Sequence, residues 1–422
     1  MKRFVRSAAI LTAMLLVTGV GLDRSGSVAA GSQAVSVIVV LRDGVDSQQA
    51  AAEHRAGYGA EVSQVYSAAL RGYAARIPAN AVAALARDPR VAFISEDHEV
   101  WATDAVPTGV DRIDAETSTK AGLNNTGPAV AVIDTGSGPH SELNIAGGTN
   151  CSNGRPSNYS DGNGHGTHVA GTIAAQLNGA GVVGVLPGTP IYSVRVLNNQ
   201  GSGSWSSVIC GIDWVTANRV SKGIKVANMS LGGAGSDDGN CGNSNGDAMH
   251  KAICNSVAAG VTYVVAAGNN GADLKSFVPA AYDEVLAVTA MSDSDGKAGG
   301  TGGSPTCRTG ETDDAPATFS NYATTAADRA HTIAAPGVCI MSTWKGGGYN
   351  TISGTSMASP HAAGTVALCI ASGSCAAALT PSGIIAKLRS DAAAHAAGYG
   401  FTGDATSGSA SYYGYLIYAG AY

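Results

Sequence analysis

The 422-residue sequence has little charge and no basic cluster. Only 13% of its residues are Asp, Glu, Lys or Arg, and the formal net charge is −6. A nucleic-acid-binding surface needs clustered Lys and Arg side chains, so this composition argues against such a surface. After residue 30 the sequence also lacks an apolar run of the roughly 20 residues that cross a bilayer. We therefore expect a soluble mature protein with neither nucleic acid nor membrane as a partner.

The first 30 residues differ from the rest. A basic start at Lys2, Arg3 and Arg6 precedes an apolar run over 8–22 and the small residues of 28–30. This is the layout of a secretory signal peptide. The alternative, a membrane anchor, is disfavoured because the apolar run is shorter than a spanning helix. We predict a signal peptide over 1–30 and a secreted, extracellular protein.

Cysteine is absent from the first 150 residues, and all eight cysteines lie between residues 151 and 375. An even number of cysteines in an exported chain predicts disulfides, with buried free thiols as the alternative. Their sequence proximity makes Cys241–Cys254 and Cys369–Cys375 the first candidate pairs, although the sequence does not fix the connectivity. No C-x-x-C pair occurs, which disfavours metal binding by cysteine.

Three segments place a serine, a histidine and an aspartate in settings that suit nucleophilic catalysis. Gly354 to Gly364 predicts a tight entry into a helix with Ser356 in its first turn, where unsatisfied N–H groups favour negative charge. Free serine needs a base and a group that orients the base. His165 stands at the mouth of a second Gly-rich helix start. Asp134 ends a buried strand, where an unpartnered carboxylate is costly.

The order Asp, His, Ser and the three motifs around these residues resemble the signatures of the subtilisin-like serine proteases. The resemblance implies that Asp134 orients the base, that His165 is the general base and that Ser356 is the nucleophile. It also implies that His168 is a second, non-catalytic histidine with a packing role. Val264 to Asn269 resembles the family's oxyanion segment, so the Asn269 side chain and the Ser356 N–H group would bind the oxyanion.

A further segment, Ser230-Leu231-Gly232-Gly233, leaves a strand with few side chains to shield its backbone, so an extended peptide could pair along it. The alternative is a strand that ends in a plain Gly-Gly turn. The resemblance favours a substrate-binding role for Ser230, Leu231, Gly232, Gly233, Ala267 and Gly268, which would line the pocket for the residue before the cut bond. No acidic cluster occurs in these segments, so we expect broad or apolar specificity.

From residue 104 to 422, short apolar strands alternate with helical patterns, which predicts one α/β catalytic domain. The pattern favours a mostly parallel sheet with helices on both faces, and the catalytic segments would meet at the carboxyl ends of its strands. A Gly-rich insert over 292–316 carries five acidic residues and is predicted to be a solvated loop rather than a metal site. The predicted strands are 129–133, 190–196, 224–229 and 262–266, and the predicted helices are 205–219 and 247–259.

Residues 31–103 form a separate small α/β unit in the sequence pattern. It resembles the inhibitory propeptide of secreted subtilisins, which assists folding and then inhibits the active site. The alternative is an N-terminal domain that stays attached. We expect a zymogen that cuts itself within 102–104. The predicted strands are 36–41, 73–78 and 91–94, and the predicted helices are 48–57 and 81–88, the second with Asn80 as its N-cap.

The resemblance also raises the question of a structural calcium ion. It places Glu142 near a calcium-binding position of the family and the segment around Asn178 on the family's calcium loop, with oxygen ligands of the kind that calcium prefers. However, the segment after Asp134 is one residue shorter than the usual pattern, and surface or turn roles stay open. The candidate ligands are Glu142, Gln176, Asn178, Ala180 and Val182.

Together these features predict a secreted, monomeric serine endopeptidase that acts on protein or peptide substrates through an acyl-enzyme, without a redox or organic cofactor. Its activity should fall as the pH drops through the pKa of His165, at about 6–7 for an ordinary histidine. A non-catalytic binding protein on this fold should have lost a catalytic residue. A zinc hydrolase is disfavoured because His165 and His168 lack the i, i+4 spacing and the intervening Glu of the helical zinc motif.

Overall fold

The computed structural model describes residues 34–97, 105–118, 124, 127–152, 154–375, 379–401 and 410–422. The chain divides between residues 100 and 101 into two compact units. The predicted signal peptide and the predicted cleavage segment, 102–104, lie outside the described residues. Among the described residues no helix has both the length and the apolar character to cross a membrane.

The first unit is a four-stranded antiparallel sheet, in the order β2-β3-β1-β4, with two helices. Alternate residues of its first strand, Val37, Val39 and Leu41, enter a core that also contains Tyr73 and Leu85. This alternation is the period-2 pattern of a strand with one buried face. The elements are β1 Ala34–Leu41, α1 Ser47–Tyr58, β2 Glu61–Tyr66, β3 Gly72–Pro78, α2 Ala79–Leu85 and β4 Val91–Glu96.

The first unit departs from the sequence prediction at two points. Strand β2 was not predicted, because it is an edge strand with no fully buried residue and it carries a register shift opposite β3. The prediction of Asn80 as an N-cap is wrong, because α2 begins at Ala79 and Pro78 is its N-cap residue. Asp46 caps α1 instead, where its side chain accepts from the Gln49 N–H group.

The second unit is built on an eight-stranded sheet in the order β13-β12-β10-β8-β5-β7-β6, with β14 beside β12. Every pair in it is parallel except β12 with β13, which confirms the predicted mostly parallel sheet. The strands are β5 Ala129–Asp134, β6 Ile145–Asn150, β7 Ile191–Arg195, β8 Ile224–Met229, β9 Gly233–Ala234, β10 Thr262–Ala266, β11 Phe277–Val278, β12 Leu286–Ser292, β13 Ala315–Pro316, β14 Thr332–Pro336, β15 Ile340–Trp344 and β16 Gly348–Ile352.

Helices cover both faces of this sheet. Successive residues of β5 enter opposite cores: Val130 and Val132 lie in the core that contains α4 and α8, whereas Ala131 and Ile133 lie in the core that contains α5 and α6. A strand buried on both faces reads as a continuous apolar run. The helices are α3 Thr108–Arg112, α4 His165–Ala174, α5 Trp205–Asn218, α6 Ala248–Ala258, α7 Ala326–Ala330, α8 Thr355–Ser372 and α9 Pro381–His395.

All eight cysteines lie among the described residues and form four disulfides. The two first candidates, Cys241–Cys254 and Cys369–Cys375, are confirmed, and the free-thiol alternative is wrong. Each bridge typically stabilises a protein by about 2–4 kcal/mol. The other two pairs, Cys151–Cys210 and Cys307–Cys339, join segments too far apart in the sequence to be chosen from spacing.

The acidic insert over 292–316 is not the solvated loop that was predicted. Asp293, Glu311 and Asp314 are buried, and Asp314 accepts hydrogen bonds from two backbone N–H groups of the insert at 2.6 and 2.9 Å. The buried Arg112 guanidinium donates to the same carboxylate at 2.8 Å. Burial raises the pKa of Asp293 to about 7. These carboxylates therefore organise the insert from inside.

Candidate active site

Strand β5 ends in a buried carboxylate that holds a histidine. Asp134 is 0% exposed, and its Oδ1 atom accepts from His165 Nδ1 at 2.8 Å and from the Thr135 N–H group at 2.7 Å. His165 is the first residue of α4, and a quarter of its side chain is exposed. The carboxylate therefore fixes the orientation of the ring. Its Nδ1 atom is hydrogen-bonded to Asp134, and its Nε2 atom remains for proton transfer.

The charge of Asp134 also sets the pKa of His165. Burial lowers this pKa, but the charge of Asp134 and its hydrogen bond to the ring outweigh burial, so the net pKa lies above the ordinary value of 6.5. Such a pair combines an orienting carboxylate with an imidazole that gains a proton readily.

Asp161 holds the loop that leads into His165, a role that the sequence analysis missed. Its Oδ1 atom accepts from the backbone N–H groups of Asn163 and Gly164 at 2.8 and 2.9 Å. Its Oδ2 atom accepts from the N–H group and the hydroxyl of Thr167 at 2.9 and 2.6 Å. Asp161 also accepts from the Thr135 hydroxyl at 2.9 Å, beside Asp134. The Asp-Gly-Asn-Gly turn in the sequence could have indicated this role, because aspartate side chains in turns accept hydrogen bonds from backbone N–H groups two or three residues further on.

Close backbone approach brings α4 against the end of β5. A β-carbon at Gly166 would lie 2.0 Å from the carbonyl oxygen of Gly136 and 3.0 Å from the β-carbon of Asp134. Only glycine fits at that spacing. The glycine after His165 is therefore required by the packing that forms the Asp134–His165 pair.

Ser356 is the second residue of α8 and is fastened to the end of β8. Its hydroxyl donates to the carbonyl oxygen of Ser230 at 3.2 Å, and its own carbonyl oxygen accepts from the Ser230 hydroxyl at 2.8 Å. Pro360 lies four residues along the helix and has no N–H group to donate to that carbonyl oxygen. The Ser230 hydroxyl therefore fills the place that proline leaves.

A buried asparagine on β8 continues this attachment. Asn228 donates through its side-chain nitrogen to the Ser230 hydroxyl at 2.9 Å, and its side-chain oxygen accepts from the Ser359 hydroxyl at 2.8 Å. Asn228 is 0% exposed. Strand and helix are thus joined by buried polar groups that are all hydrogen-bonded, which fixes the position of Ser356.

Asn269 follows β10 and faces the start of α8. Its side-chain oxygen accepts from the N–H group and the hydroxyl of Thr355 at 2.8 and 2.9 Å. The Thr355 hydroxyl in turn accepts from the Gly268 N–H group at 3.1 Å. Because the side-chain oxygen of Asn269 is engaged by Thr355, the residue before Ser356, its amide nitrogen remains as a donor.

A cleft of about 800 Å³ opens beside His165. One wall contains three of the predicted substrate-binding residues, Ser230, Leu231 and Gly232. The stretch from Gln200 to Trp205 also lines the cleft and was not singled out in the sequence. Three other predicted substrate-binding residues, Gly233, Ala267 and Gly268, do not line this cleft, and Gly233 pairs with Val278 in the short β9–β11 ladder.

His168 lies one turn further along α4, away from this chemistry. It is fully buried, and its Nε2 atom donates to the carbonyl oxygen of Ile340 at 2.9 Å. Burial lowers its pKa to about 3. A neutral, buried histidine with a backbone partner agrees with the predicted packing role.

The candidate calcium ligands come together in part. Glu142 is buried, its side-chain oxygen accepts from the Asn178 amide at 3.4 Å, and its carbonyl oxygen accepts from the Gln176 N–H group at 2.9 Å. Ala180 donates its N–H group to the Asn178 side chain at 3.1 Å. Val182 is buried and bridges to Ala105. A buried carboxylate thus adjoins the loop that carries the other candidate ligands, with the Asn178 amide nitrogen turned toward it. Carboxylate, side-chain amide and backbone carbonyl oxygens are the donor types that calcium prefers.

These features define a class of protein. A parallel α/β sheet with an Asp–His pair at one strand end and a serine at the start of a neighbouring buried helix is the arrangement of a serine hydrolase. The chain belongs to the subtilase family of subtilisin-like serine proteases, since the model of the Subtilase family matches residues 125–414. The model of the peptidase inhibitor I9 family matches residues 36–102, so the chain also carries a pro-region.

Similar proteins support this assignment. The chain is 42% identical over 288 residues to the alkaline elastase YaB of Bacillus sp. (strain YaB), a match that covers 68% of this chain and 66% of that protein. It is 40% identical over 264 residues to subtilisin Savinase of Lederbergia lenta, covering 63% of this chain and 84% of that protein. The crystal structure of a cold adapted subtilisin-like serine proteinase superposes with a TM-score of 0.56 at 32% identity, covering 74% of this chain and 97% of the other.

The contacts of Asp161 predict that Asp161→Ala lowers kcat far more than it raises KM. The loop before His165 loses its carboxylate anchor, and a displacement of about 1 Å in a catalytic group can lower the rate by about 10²-fold. The measurement is steady-state hydrolysis of a peptide substrate. Asp213→Asn, an exposed aspartate on α5, is the control and should retain full activity. Equal kcat values for the two variants would contradict this role.

The raised pKa of His165 predicts the position of the acid limb of activity. The base must be neutral to accept a proton, so kcat/KM falls as the pH drops through a pKa that Asp134 holds above 6.5. A profile of kcat/KM against pH should therefore show a midpoint above 6.5, higher than an ordinary histidine gives. A midpoint at or below 6.5 would contradict the effect of Asp134, and a missing acid limb would contradict the role of His165.

Proposed function

We propose that this protein is a secreted serine endopeptidase that hydrolyses peptide bonds through an acyl-enzyme. The observation that carries the proposal is the buried Asp134–His165 hydrogen bond of 2.8 Å at the carboxyl end of β5, next to the strand whose end anchors Ser356. Parallel sheets bring functional residues together at this edge. Membership of the subtilase family supports the same reaction.

In the proposed mechanism the Ser356 hydroxyl turns from the Ser230 carbonyl oxygen to His165 Nε2 and attacks the substrate carbonyl carbon. His165 takes the proton, and the carboxylate of Asp134 stabilises the imidazolium. His165 then passes the proton to the leaving amine as the C–N bond breaks. Water, deprotonated by the same histidine, attacks the acyl-enzyme and releases the second product. No redox or organic cofactor takes part.

Two donors stabilise the oxyanion of the tetrahedral intermediate in this proposal. They are the Asn269 amide nitrogen and the N–H group of Ser356 at the start of α8. The bonds from Thr355 to the Asn269 oxygen support this role, because they orient the amide before substrate binds. Preorganised donors of this kind need no rearrangement as charge develops.

The proposed substrate is an extended peptide that lies along Ser230, Leu231 and Gly232 in the cleft beside His165. Main-chain pairing tolerates many sequences. Leu231 and Trp205 give the cleft an apolar lining. We therefore propose broad specificity with a preference for apolar side chains.

We further propose that the protein is made as a pre-pro-enzyme and acts as a monomer. Residues 1–30 would direct secretion, and residues 31–103 would assist folding and inhibit the catalytic domain of 104–422 until self-cleavage. The division of the chain into two compact units near this boundary and the match of 36–102 to the inhibitor I9 family support this organisation.

The test of catalysis and maturation is the intact mass and N-terminal sequence of the secreted protein beside Ser356→Ala. The wild type should begin near residue 103. The variant should keep residues 33–100 and lose peptide hydrolysis by about 10⁶-fold, the size of the loss when a subtilisin loses its nucleophile. Ser206→Ala, an exposed serine on α5, should mature normally. Normal maturation and activity of Ser356→Ala would overturn the proposal.

Calcium is proposed as a structural ion of the catalytic unit. Glu142, the Asn178 side chain and carbonyl oxygens of Gln176, Ala180 and Val182 would hold it. A bound cation would compensate the burial of the Glu142 carboxylate and stiffen the loop that follows α4. It takes no part in the chemistry.

This site predicts that a calcium chelator lowers the thermal midpoint of the protein. A ligand at 100 times its Kd stabilises the folded state by about 2.7 kcal/mol. The measurement is thermal unfolding of the Ser356→Ala protein, which cannot digest itself, with calcium added back. Adding Glu142→Ala should abolish the response to calcium, whereas adding Glu116→Ala, at an exposed position, should retain it. An equal response in both variants would place the ion elsewhere.

A further inference from the structure

A buried histidine nitrogen faces two carboxylates outside the catalytic site. His250 lies in the first turn of α6 and is 0% exposed. Its Nε2 atom bonds to the Glu284 carboxylate at 2.9 Å, and a carboxylate only accepts, so Nε2 carries a proton. The Nδ1 atom is also buried but has no hydrogen-bond partner. It lies 3.5 Å from Oδ1 of Asp237 and 3.4 Å from Oδ1 of Asp238.

These two distances are too long for the hydrogen bond of a charged pair. Such bonds measure about 2.7–2.9 Å, and His165 Nδ1 lies 2.8 Å from Asp134 in the catalytic pair. The distances at His250 match instead the spacing of ligand atoms around a metal ion. Tetrahedral zinc with bonds of about 2.0–2.2 Å separates its nitrogen and oxygen ligands by roughly 3.3–3.6 Å. Nδ1 and the two aspartate oxygens all lie within 4.8 Å of one another.

The charge around this histidine is unbalanced. Asp237, Asp238 and Glu284 surround one imidazole ring, and no lysine or arginine among the described residues forms an ion pair with these three carboxylates. Lys275 pairs with Asp273 instead, at 3.1 Å. Poorly exposed charges need compensation by an opposite charge. A divalent cation between Nδ1 and the two aspartates would supply it.

Backbone groups hold the two aspartates in place. The Oδ1 atom of Asp238 accepts from the N–H groups of Asn240 and Gly242, at 2.9 Å each. The Oδ1 atom of Asp237 accepts from the N–H group of Gly239 at 2.8 Å. Ligating carboxylates in metal sites are themselves hydrogen-bonded in this way. The loop after β9 therefore presents both carboxylates to the histidine without further folding.

The histidine ring is held as firmly as the aspartates. It stacks on the Tyr282 ring with the centroids 4.0 Å apart and the planes 2° from parallel. The Tyr282 hydroxyl donates to Asp247, the N-cap residue of α6, at 2.5 Å. The disulfide Cys241–Cys254 joins the loop that carries the aspartates to α6. Ring and carboxylates thus belong to one cross-linked unit.

The donor set favours zinc over calcium. Calcium takes oxygen ligands, whereas an imidazole nitrogen suits zinc and its neighbours in the first transition row. Histidines that bind zinc commonly donate their other N–H group to a carboxylate, as His250 does to Glu284. A cavity of about 260 Å³ lined by Asp237, Gly239 and Asp283 opens beside the site. It gives an ion a path from solvent and leaves room for a water molecule as the fourth ligand.

We propose that His250, Asp237 and Asp238 form a structural site for a divalent transition-metal ion, with zinc as the expected occupant. Glu284 orients the histidine through its Nε2–H group. The ion would fasten the loop after β9 to α6. None of these residues lines the cleft beside His165, so the ion takes no part in peptide hydrolysis. The site shares no ligand with the proposed calcium site at Glu142.

The test measures zinc binding to the full-length Ser356→Ala protein with its disulfides intact, so that self-digestion does not interfere. A strong chelator first removes bound metal. The protein is then dialysed into excess calcium, which fills the proposed calcium site. Titration calorimetry and elemental analysis should show one tightly bound zinc ion per chain, and zinc should raise the thermal midpoint because it binds the folded state.

Variants made in the Ser356→Ala protein locate the ion. His250→Gln can still donate to Glu284 but lacks the Nδ1 base, so its zinc affinity should fall by at least about 100-fold. Glu284→Gln should lose about 10–100-fold, the usual effect of removing a group that orients a ligand. Asp237→Asn keeps an oxygen for Gly239 and should also bind zinc more weakly. Near-ultraviolet circular dichroism without zinc checks that each variant is folded.

The matched control is His395→Gln. His395 is a partly exposed histidine whose Nε2 atom lies 3.8 Å from Asp114. Zinc affinity should be unchanged in this variant, because the pair has no second carboxylate and no buried Nδ1 atom.

X-ray absorption at the zinc edge identifies the ligand atoms. We expect one imidazole and oxygen ligands at about 2.0–2.2 Å, without the bonds of about 2.3 Å that sulfur makes. Sulfur ligands would show that reduced Cys241 and Cys254 hold the ion, and would overturn the proposal.

Two further results would decide against the site. A folded, disulfide-intact protein that binds no zinc overturns the proposal and leaves His250 as an imidazolium between two aspartates. Equal zinc affinity before and after His250→Gln places the ion elsewhere and overturns it as well. None of these measurements uses peptide hydrolysis, so failure here leaves the proposed function untouched.

Discussion

The catalytic unit depends on the burial of one carboxylate. Asp134 has no exposed surface, and an ion without partners in such a place costs several kcal/mol. The hydrogen bonds from His165 and Thr135, both accepted by Oδ1, offset part of this cost, so the position of α4 is tied to the end of β5. The close approach of Gly166 to Gly136 and the anchoring of the preceding loop by Asp161 are what allow those bonds to form.

Ser356, the proposed nucleophile, is positioned by a second set of buried polar groups. Pro360 leaves the Ser356 carbonyl oxygen without its helical partner, and the hydroxyl of Ser230 replaces it. Asn228 then ties Ser230 to Ser359 on the next turn. Histidine and serine are therefore held by different neighbouring strands, β5 and β8, and the sheet itself sets their separation. Because each side chain is attached to a different strand of the sheet, both are held on rigid elements.

Much of this arrangement could be predicted from the sequence, because buried parallel strands are continuous apolar runs and the strand ends carry unusual polar residues. Strands β5, β8 and β10 and helices α5 and α6 fall within one residue of the predicted bounds. The errors have physical causes. Strand β2 is half-exposed at a sheet edge, and its buried and exposed residues do not alternate clearly. The charge of the 292–316 insert predicted a solvated loop, but its carboxylates accept hydrogen bonds from backbone N–H groups of the insert itself.

Asp161 shows the limit of prediction from sequence more sharply. Its role depends on a partner from elsewhere in the fold, the hydroxyl of Thr135 just after the end of β5. A motif can indicate the groups that make and break bonds, because the chemistry restricts those residue types and their settings. A residue that positions such a group is restricted only by the neighbours that the fold brings to it. The type of reaction can therefore be inferred from short segments of this chain, whereas positioning residues can be identified only when the elements of the site are placed side by side.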